Sequence, residues 1–309
     1  PDMFLPFSVG MSSCQGCTVH CRHRHVVKEG RWATRGEGPE NGGVSGLGTG
    51  LRIFNAETVS YLADKCNRLG LTTSVSGVMS FAMNLYEREM VSQNDTGRPL
   101  KWGDAEAADA LLDDIALRRG FGDILADGPY GLKRLQPEAA KLMPLVKNHP
   151  TGETVLGNMR SFALANGVAS LPAHNHRNMP NLDISRLPAD FLEKLYGAGP
   201  MTSDPWSYTG KPRMVFWHTA EYAICDALGF CRFQSVMNSP HGLKFEEYAK
   251  LINTALGWNM TVEKLWEVAI RMSTMERLFL IKFGVGSRKD DGPIPAWLAQ
   301  EGQHRIDPE

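Results

Sequence analysis

Three cysteines lie close together near the start of the chain, in the segment CQGCTVHC at residues 14–21. Two residues separate Cys14 from Cys17, and three separate Cys17 from Cys21. Thiolates at such short spacing are typical ligands of zinc or of an iron–sulfur cluster, and both centres take four ligands. The segment therefore predicts a metal centre that takes one further ligand from elsewhere in the chain.

The fourth ligand decides which metal the segment binds. His20, His23 and His25 lie close by, so a zinc site with three cysteines and one histidine is one alternative. A distant cysteine would instead complete a [4Fe-4S] cluster, with the histidines solvated or supporting the site from outside. The spacing is the reverse of the radical-SAM spacing, which is therefore not favoured. The local pattern favours zinc and iron–sulfur equally.

Length, charge and cysteine content limit the class of protein. The chain has 309 residues, enough for about two domains, and it is 42% hydrophobic and 22% charged, as globular proteins are. Its net charge of −1 argues against nucleic acid or an anionic membrane as a partner. No apolar run reaches the roughly 18 residues of a membrane span, and no signal peptide is visible. Six cysteines with this clustering predict metal binding in a reducing cytosol.

Helical patterns dominate the chain, so the predicted fold class is mainly α. Caps and apolar stripes predict helices over residues 54–70, 75–90, 104–120, 245–256 and 261–283. In the last helix, the side chains expected to point inward are those of Leu265, Val268, Met272 and Phe279. Residues 1–50 are expected to be irregular apart from the cysteine run. Their glycine-rich part, GGVSGLGTG at 42–50, lacks the Lys-Ser/Thr of a P-loop and is expected to be a flexible loop.

A second cysteine motif, DALGFCRF at residues 226–233, lies far downstream of the first. Together the two segments resemble the tungsten- and molybdenum-dependent aldehyde ferredoxin oxidoreductase family. In that family a cysteine triplet and a late Asp-x-x-Gly-(Leu/Ile)-Cys motif hold one [4Fe-4S] cluster. The resemblance implies that the cluster ligands are Cys14, Cys17, Cys21 and Cys231.

The resemblance also implies two loops that contact a tungsten or molybdenum bis-pterin. In the late motif the implied contacts are Asp226, Gly229 and Arg232, with arginine in place of the usual lysine. The other loop is CNRLGLTTSVSG at 66–77, which is similar to the family's Cys-Asp-x-x-Gly-Leu-Asp loop. Its implied contacts are Asn67, Gly70 and Leu71. Asparagine replaces the family's aspartate there and brings no negative charge.

Further segments at 100–128 and 257–295 are similar to the family in the same order, so the resemblance covers almost the whole chain. It is confined to the two helical C-terminal domains and implies that they interleave. One would combine residues 1–75 with 151–235 and contact the cluster and the pterin, and the other 76–150 with 236–309. The family's N-terminal pterin-binding domain has no counterpart here, and the chain starts at Pro1, so we expect a processed chain or a piece of a longer protein.

The implied catalytic residues are a carboxylate and two histidines. Glu40 lies in GPENG at 38–42, which is similar to the family's GPEYE segment. The active-site histidine of the family falls within ASLPAHNHRN, where His174 and His176 flank the ungapped position. Either histidine is an alternative for the role. Cys66, Cys225 and His218 have simpler interpretations, as two buried inert thiols and a packed histidine.

The resemblance implies oxidation of an aldehyde to a carboxylic acid, with electrons passing through the cluster to ferredoxin or another iron–sulfur subunit. A tungsten subunit acting on a thioester or aromatic acyl substrate is a second possibility. A non-catalytic iron–sulfur carrier or a zinc-stapled module is a third. Family members with a subunit-bridging iron use Glu-x-x-His where this chain has Tyr61 and Asp64, so a homo-oligomer would lack that iron. The expected location is the cytoplasm.

Overall fold

A computed structural model describes residues 2–138, 145–147, 149–150, 159–171, 177–197, 199–237 and 239–291. The described residues are mostly helical, which confirms the predicted fold class. The chain divides into two compact units, Pro1–Met143 and Pro144–Glu309. The interleaved division into domains stays a prediction. None of the helices in the described ranges combines the length and the apolar character needed to cross a bilayer.

The first unit begins with a short 3-10 helix, Asp2–Phe7, and a three-stranded antiparallel sheet. The strands, paired in the order β1–β2–β3, are β1 (Ser8–Ser12), β2 (Arg22–Val27) and β3 (Thr34–Glu37). The prediction that this region is irregular was therefore wrong. β2 has the sequence RHRHVV, with His25 and Val27 buried, Val26 between them half-buried, and Arg24 exposed. A strand whose inward face includes histidine lacks the apolar alternation by which half-buried strands are identified.

The glycine-rich segment after the sheet is helical, so the prediction of a flexible loop was also wrong. It forms the short helix α1 (Asn41–Gly43), a π-helical turn (Val44–Gly48) and a 3-10 turn (Thr49–Leu51). Leu47 and Leu51 are fully buried. A Cβ atom added at Gly46 would lie 2.3 Å from Ser76 Oγ. The glycine there serves close packing, because no larger residue leaves room for that contact.

The other described residues of the first unit form helices joined by turns. They are α2 (Ala56–Leu69), α3 (Val75–Glu87), α4 (Gln93–Thr96), α5 (Ala105–Ala116), α6 (Phe121–Ala126) and α7 (Pro129–Leu135). The predicted caps are present: Asn55 accepts the backbone N–H of Thr58 at 2.9 Å, and Asp104 accepts that of Ala107 at 2.9 Å. α5 ends at Ala116, four residues before the predicted end, and Gly120 instead precedes α6 with a φ of 51°.

The described residues of the second unit form two short paired strands and five longer helices. They are β4 (Leu145–Val146), β5 (His149–Pro150), α8 (Arg160–Val168), α9 (Ala189–Tyr196), α10 (Lys211–Leu228), α11 (Phe245–Leu256) and α12 (Val262–Lys282). α10 is the central helix, and most of its residues are buried. A buried ion pair holds its first turn, because Lys211 Nζ bonds to Asp183, which also accepts the hydroxyl of Ser161 at 2.6 Å.

α12 starts and packs as predicted but leaves the core earlier. Thr261 caps it by accepting the N–H of Lys264 at 3.2 Å, and Leu265 is buried. Phe279 is 62% exposed, so its predicted inward position was wrong. Among the described residues, the core cluster of this unit takes no α12 side chain beyond Met272, so Phe279 lies past the core and packs against Phe283, with ring centroids 4.7 Å apart.

Candidate functional site

The cysteine run forms the connection between β1 and β2. Cys14 and Cys21 are exposed and Cys17 is half-buried. The segment turns tightly, because the N–H of Cys17 donates to the carbonyl of Cys14 at 3.0 Å. The N–H of Val19 then donates to the sulfur of Cys17 at 3.4 Å. Backbone N–H groups directed at cysteine sulfurs are one means by which proteins tune iron–sulfur clusters.

Cys231, the predicted fourth ligand, belongs to the second unit. It is exposed and lies directly after the turn that ends α10. The six cysteines are all in described positions and form no disulfide. Within the described ranges, no three or more His, Cys, Asp or Glu side chains are gathered as a metal site. The ligand set of three cysteines from the run with Cys231 stays a prediction.

The two predicted pterin loops have the same backbone structure. CNRLGL ends α2 and CDALGF ends α10, and the glycines that end them, Gly70 and Gly229, both have a φ of 71°. In each loop the residue after the glycine donates its N–H to the carbonyl of a buried cysteine. The distance is 2.8 Å to Cys66 in the first loop and 2.9 Å to Cys225 in the second. This is the left-handed glycine cap that commonly ends helices.

Both cysteines of these loops are buried, as predicted. Burial raises the pKa of the Cys66 thiol to about 11. Burial and the nearby Glu221 raise the pKa of the Cys225 thiol further. The Cys225 sulfur lies 3.2 Å from the hydroxyl of Tyr248, which donates to Glu221 at 3.0 Å. Thiols with raised pKa values carry little thiolate at neutral pH, so neither is a candidate ligand or nucleophile.

His218 is a packed histidine, as predicted. It is fully buried, and its Nε2 lies 2.9 Å from the hydroxyl of Tyr196. Its Nδ1 lies 3.9 Å from Glu221. The side chain therefore belongs to the interior of the second unit.

Asp226 is held by arginines on both oxygens. Arg232 Nη2 donates to Oδ1 at 2.5 Å, and Arg177 Nη1 donates to Oδ2. Arg232 also lies over the ring of Tyr222, 4.5 Å from its centroid. The carboxylate is still 40% exposed. An ionised carboxylate offers about four acceptor positions, so Asp226 can still accept further N–H donors.

Arg177 and its second partner were not predicted from the sequence. Arg177 Nη2 donates to Glu276 of α12, whose other oxygen accepts the hydroxyl of Ser170 at 2.6 Å. The positions of Arg177 and Glu276 differ by 99 residues, so no local pattern could pair them. The sequence feature that could have indicated Arg177 is its position at the end of PAHNHR, beside the two histidine candidates.

Of the predicted catalytic residues, the structure describes Glu40 and neither of the two histidine candidates. Glu40 is exposed and precedes α1, and the carbonyl of Gly38 just before it accepts from His25 Nδ1 at 2.7 Å. His23 Nδ1 lies 3.3 Å from the same carbonyl. Two histidines of β2 thus hold the segment that carries the carboxylate, and His25 is buried rather than solvated.

The two histidine candidates, His174 and His176, lie outside the described residues. Residues next to their segment, Leu171 and Arg177, are described. The first predicted pterin contact, Asn67, is exposed in the last turn of α2. These assignments stay predictions.

Tyr61 and Asp64, at the positions where family members bind a bridging iron, make other contacts in this structure. The ring of Tyr61 packs against Trp32, with centroids 5.2 Å apart. Asp64 accepts the hydroxyl of Thr34 at 2.7 Å and pairs with Arg68 at 3.2 Å. The expectation of an oligomer without this iron stays a prediction.

The helical fold, the cysteine motifs and the paired helix ends are the features expected of the family that the sequence resembles. Comparisons with known proteins agree with this. Residues 3–307 match the family model described as aldehyde ferredoxin oxidoreductase, domains 2 and 3, so the chain belongs to this family. The resemblance seen in the sequence is thereby confirmed.

Individual relatives are identical to this chain at 26–29% of the aligned positions. The tungsten-containing aldehyde ferredoxin oxidoreductase of Pyrococcus furiosus is 29% identical over 300 residues, covering 94% of this chain and 45% of the relative. A subunit of the same organism described as aliphatic sulfonate oxidoreductase, WOR-like, is 26% identical over 287 residues, covering 91% of this chain and 41% of the relative. The chain thus spans less than half the length of these relatives.

A solved structure shares the fold. It is the active-site complex BamBC of benzoyl coenzyme A reductase with 1,5-dienoyl-CoA. The TM-score is 0.73 at 22% sequence identity, and the match covers 92% of this chain and 46% of that one. At this identity the likeness supports the fold alone.

Proposed function

We propose that this chain is the C-terminal part of an oxidoreductase that oxidises an aldehyde to a carboxylic acid. The aldehyde and one water molecule would give the acid, two protons and two electrons. When bound, a tungsten or molybdenum bis-pterin supplies the two-electron redox chemistry. Ferredoxin or another iron–sulfur subunit would receive the electrons one at a time. The observation that carries the proposal is the family match over residues 3–307, in a chain whose two cysteine motifs hold exposed or half-buried thiols.

The residues of the two helix ends suit a pterin. Its ring edge offers adjacent N–H donors, and both Asp226 and Asn67 expose side chains that can accept them. A Cβ atom added at Gly70 or Gly229 would meet nothing within 4 Å, so these turns leave open space for a ligand. Asp226 would bind more strongly than Asn67, because a charged acceptor forms the stronger hydrogen bond.

The thiols suit a [4Fe-4S] cluster. We assign its ligands to Cys14, Cys17, Cys21 and Cys231, which are exposed or half-buried, in contrast to the two buried cysteines. The N–H bond to the Cys17 sulfur is the kind of contact that stabilises a cluster thiolate. Such thiols persist in a reducing compartment such as the cytoplasm.

Proton transfer is assigned to a histidine assisted by a carboxylate. We assign the main role to His174 or His176, because unperturbed histidine titrates near neutral pH. Glu40 would assist, from the segment that His25 holds. Replacing these residues separately, as His174→Asn, His176→Asn and Glu40→Gln, should lower turnover by about 10²–10⁴-fold for the main group. The measurement is aldehyde oxidation against pH at full metal content. Near-wild-type rates and pH profiles in all three variants would show that the base lies elsewhere.

A thioester or aromatic acyl substrate is the second candidate. It is compatible with the fold shared with the active-site complex of benzoyl coenzyme A reductase, which was solved with 1,5-dienoyl-CoA. The same helix ends and thiols would serve both reactions, so only the substrate distinguishes them. The remaining alternative is a protein without catalytic activity, either an iron–sulfur electron carrier or a structural module held together by zinc.

Metal analysis and turnover of the native protein that contains this chain separate these candidates. The aldehyde proposal expects about four irons with tungsten or molybdenum, and aldehyde-dependent reduction of ferredoxin. The same metals with acyl-thioester turnover and no aldehyde oxidation would favour the second candidate. Iron without tungsten, molybdenum or turnover would indicate an electron carrier, and a single zinc would indicate a structural module.

A further inference from the structure

The interior of the second unit contains an acid–base pair that the proposed reaction does not use. His218 and Glu221 lie one turn apart on α10, and both side chains are fully buried. Nδ1 of His218 and Oε2 of Glu221 are 3.9 Å apart, and within the described residues neither atom has a hydrogen-bond partner. Buried polar atoms without partners are uncommon in native proteins, so a pair of them in one place calls for a functional explanation.

The other two polar atoms of the pair are hydrogen-bonded. Nε2 of His218 lies 2.9 Å from the hydroxyl of Tyr196 on α9. Oε1 of Glu221 accepts the hydroxyl of Tyr248 on α11 at 3.0 Å and the thiol of Cys225 at 3.3 Å. These neighbours fix both side chains and leave one imidazole nitrogen and one carboxylate oxygen beside each other.

The hydroxyl and thiol groups around the pair keep their own protons at neutral pH. Their pKa values are raised mainly by burial, and the negative charge of Glu221 raises them further. These groups are Tyr196 on α9, Tyr222 and Cys225 on α10, and Tyr248 on α11. This leaves Glu221 and His218 as the groups of the cluster that can exchange a proton with each other.

The charged side chains near this cluster have partners outside it. Asp183 bonds to Lys211, and Arg232 bonds to Asp226. α8 and α12 also pack against α10, and within the described ranges neither places a charged side chain in hydrogen-bonding contact with the pair. A negative charge on Glu221 is therefore balanced only if the neighbouring imidazole carries a proton, because buried charges require a partner.

Short contacts connect the pair with the predicted cluster ligand. Tyr248, which donates to Glu221, packs against the ring of Phe230 with centroids 5.9 Å apart. Phe230 directly precedes Cys231 in the chain. Charge at Cys231 and charge at Glu221 are thus separated by an aromatic contact rather than by water, and charges interact more strongly across protein than across water.

We propose that His218 and Glu221 together bind one exchangeable proton, which they take up when the cluster at Cys231 is reduced. The pair takes one proton from water for each electron that reaches the cluster, and it returns the proton when the electron leaves for the iron–sulfur acceptor. Without the proton the pair is a carboxylate beside a neutral imidazole, and the proton is added between the two atoms that have no partner. The proposal rests on the proposed function and adds a coupling between electron and proton transfer to it.

The test measures the midpoint potential of the cluster against pH in the native protein, by reduction with dithionite and electron paramagnetic resonance. The potential should fall as the pH rises, because the reduced state binds the additional proton and a high pH disfavours it. This dependence should be lost in Glu221→Gln and in His218→Gln. The matched control is Glu246→Gln, which removes the same charge from an exposed position on α11 and should keep the wild-type dependence.

Infrared difference spectra between the reduced and oxidised protein identify the groups that change protonation. The wild type should show bands of a carboxyl or imidazole group that are missing in Glu221→Gln or His218→Gln and present in Glu246→Gln. The wild-type potential and spectra require no variant, so the inference is tested even if a variant does not fold.

The outcomes separate this inference from the proposed function. A wild-type potential that does not change with pH would overturn the inference and leave the proposed function standing. An unchanged pH dependence in both Glu221→Gln and His218→Gln would do the same. Absence of the [4Fe-4S] cluster would overturn the inference together with the cluster assignment. A potential that depends on pH through these two residues, in a protein that oxidises no aldehyde, would overturn only the proposed reaction.

Discussion

At the scale of single residues, burial divides the six cysteines into two chemical groups. Cys66 and Cys225 are fully buried, and burial raises the pKa of both thiols. The remaining four are exposed or half-buried and include all of the predicted cluster ligands. The two groups should therefore differ in reactivity whenever the metal is removed.

Alkylation of the metal-free folded protein measures this difference. With iodoacetamide at about pH 8, Cys66 and Cys225 should stay unmodified, because a thiol whose pKa lies well above the pH carries little thiolate. The other four should react, and unfolding should expose all six. Peptide mass spectrometry gives the extent at each site. Modification of Cys66 at the rate of Cys14 would contradict the buried position.

Replacing the two cysteines near the end of α10 tests the cluster assignment. Cys231→Ala should lose the [4Fe-4S] cluster, because a thiolate ligand is removed. Cys225→Ala should keep it, because the Cys225 sulfur contacts Glu221 and Tyr248. Iron analysis and electron paramagnetic resonance of both variants decide. Loss of the cluster in Cys225→Ala alone would show that the fourth ligand was wrongly chosen.

At the scale of secondary-structure elements, two glycines of the first unit have different functions. Gly70 ends α2 in the left-handed region, with no atom near the position of a Cβ. Gly46 lies in the π-helical turn with an ordinary φ, but a Cβ there would overlap Ser76. The first glycine is required by the backbone conformation and the second by packing.

Alanine substitution distinguishes the two causes. Gly70→Ala should lower the free energy of unfolding by about 1 kcal/mol through the cost of a positive φ. Gly46→Ala should cost about 1–3 kcal/mol through overpacking. Only the second loss should be partly recovered by adding Ser76→Ala, which removes the overlapping hydroxyl oxygen. Urea denaturation measures each variant, and equal loss with and without Ser76→Ala would contradict the packing explanation.

The elements that the sequence predicted are those defined by local chemistry. Asn55, Asp104 and Thr261 are caps whose bonds span three residues, so the sequence alone locates these helix starts. The sheet was missed because strand pairing joins residues from separate segments and the inward positions of β2 include a histidine. The buried turn at Gly46 was missed because glycine allows both flexibility and close packing, and only the tertiary neighbour decides between them.

The candidate site shows the same division. Cysteine spacing and the DALGFC motif identified the thiols and Asp226, because such residue types indicate a metal or cofactor site without knowledge of the fold. The charge network from Asp226 through Arg177 to Glu276 depends on α10 and α12 packing in the same unit. No spacing rule relates those positions, so the network required the structure.

At the scale of the whole molecule, the chain covers 45% of the length of a tungsten-containing relative. We therefore expect the 309 residues expressed alone to hold no stable metal–pterin centre. Circular dichroism should still show a helical protein, because each unit has its own compact core. Metal and pterin analysis of the purified chain provides the test, and stoichiometric pterin would overturn the expectation.

The paired helix ends have a further electrostatic consequence. Asp226 lies in the last turn of α10, where the negative end of the helix dipole disfavours a carboxylate by about 0.3–1 kcal/mol. That turn contains no basic residue of its own, and Arg177 and Arg232 supply the positive charge from outside the helix. Asn67 takes the corresponding place in α2 and, being neutral, has no such cost. The aspartate and its two arginines thus form a single electrostatic unit, whereas the last turn of α2 contains a basic residue of its own, Arg68, beside the neutral Asn67.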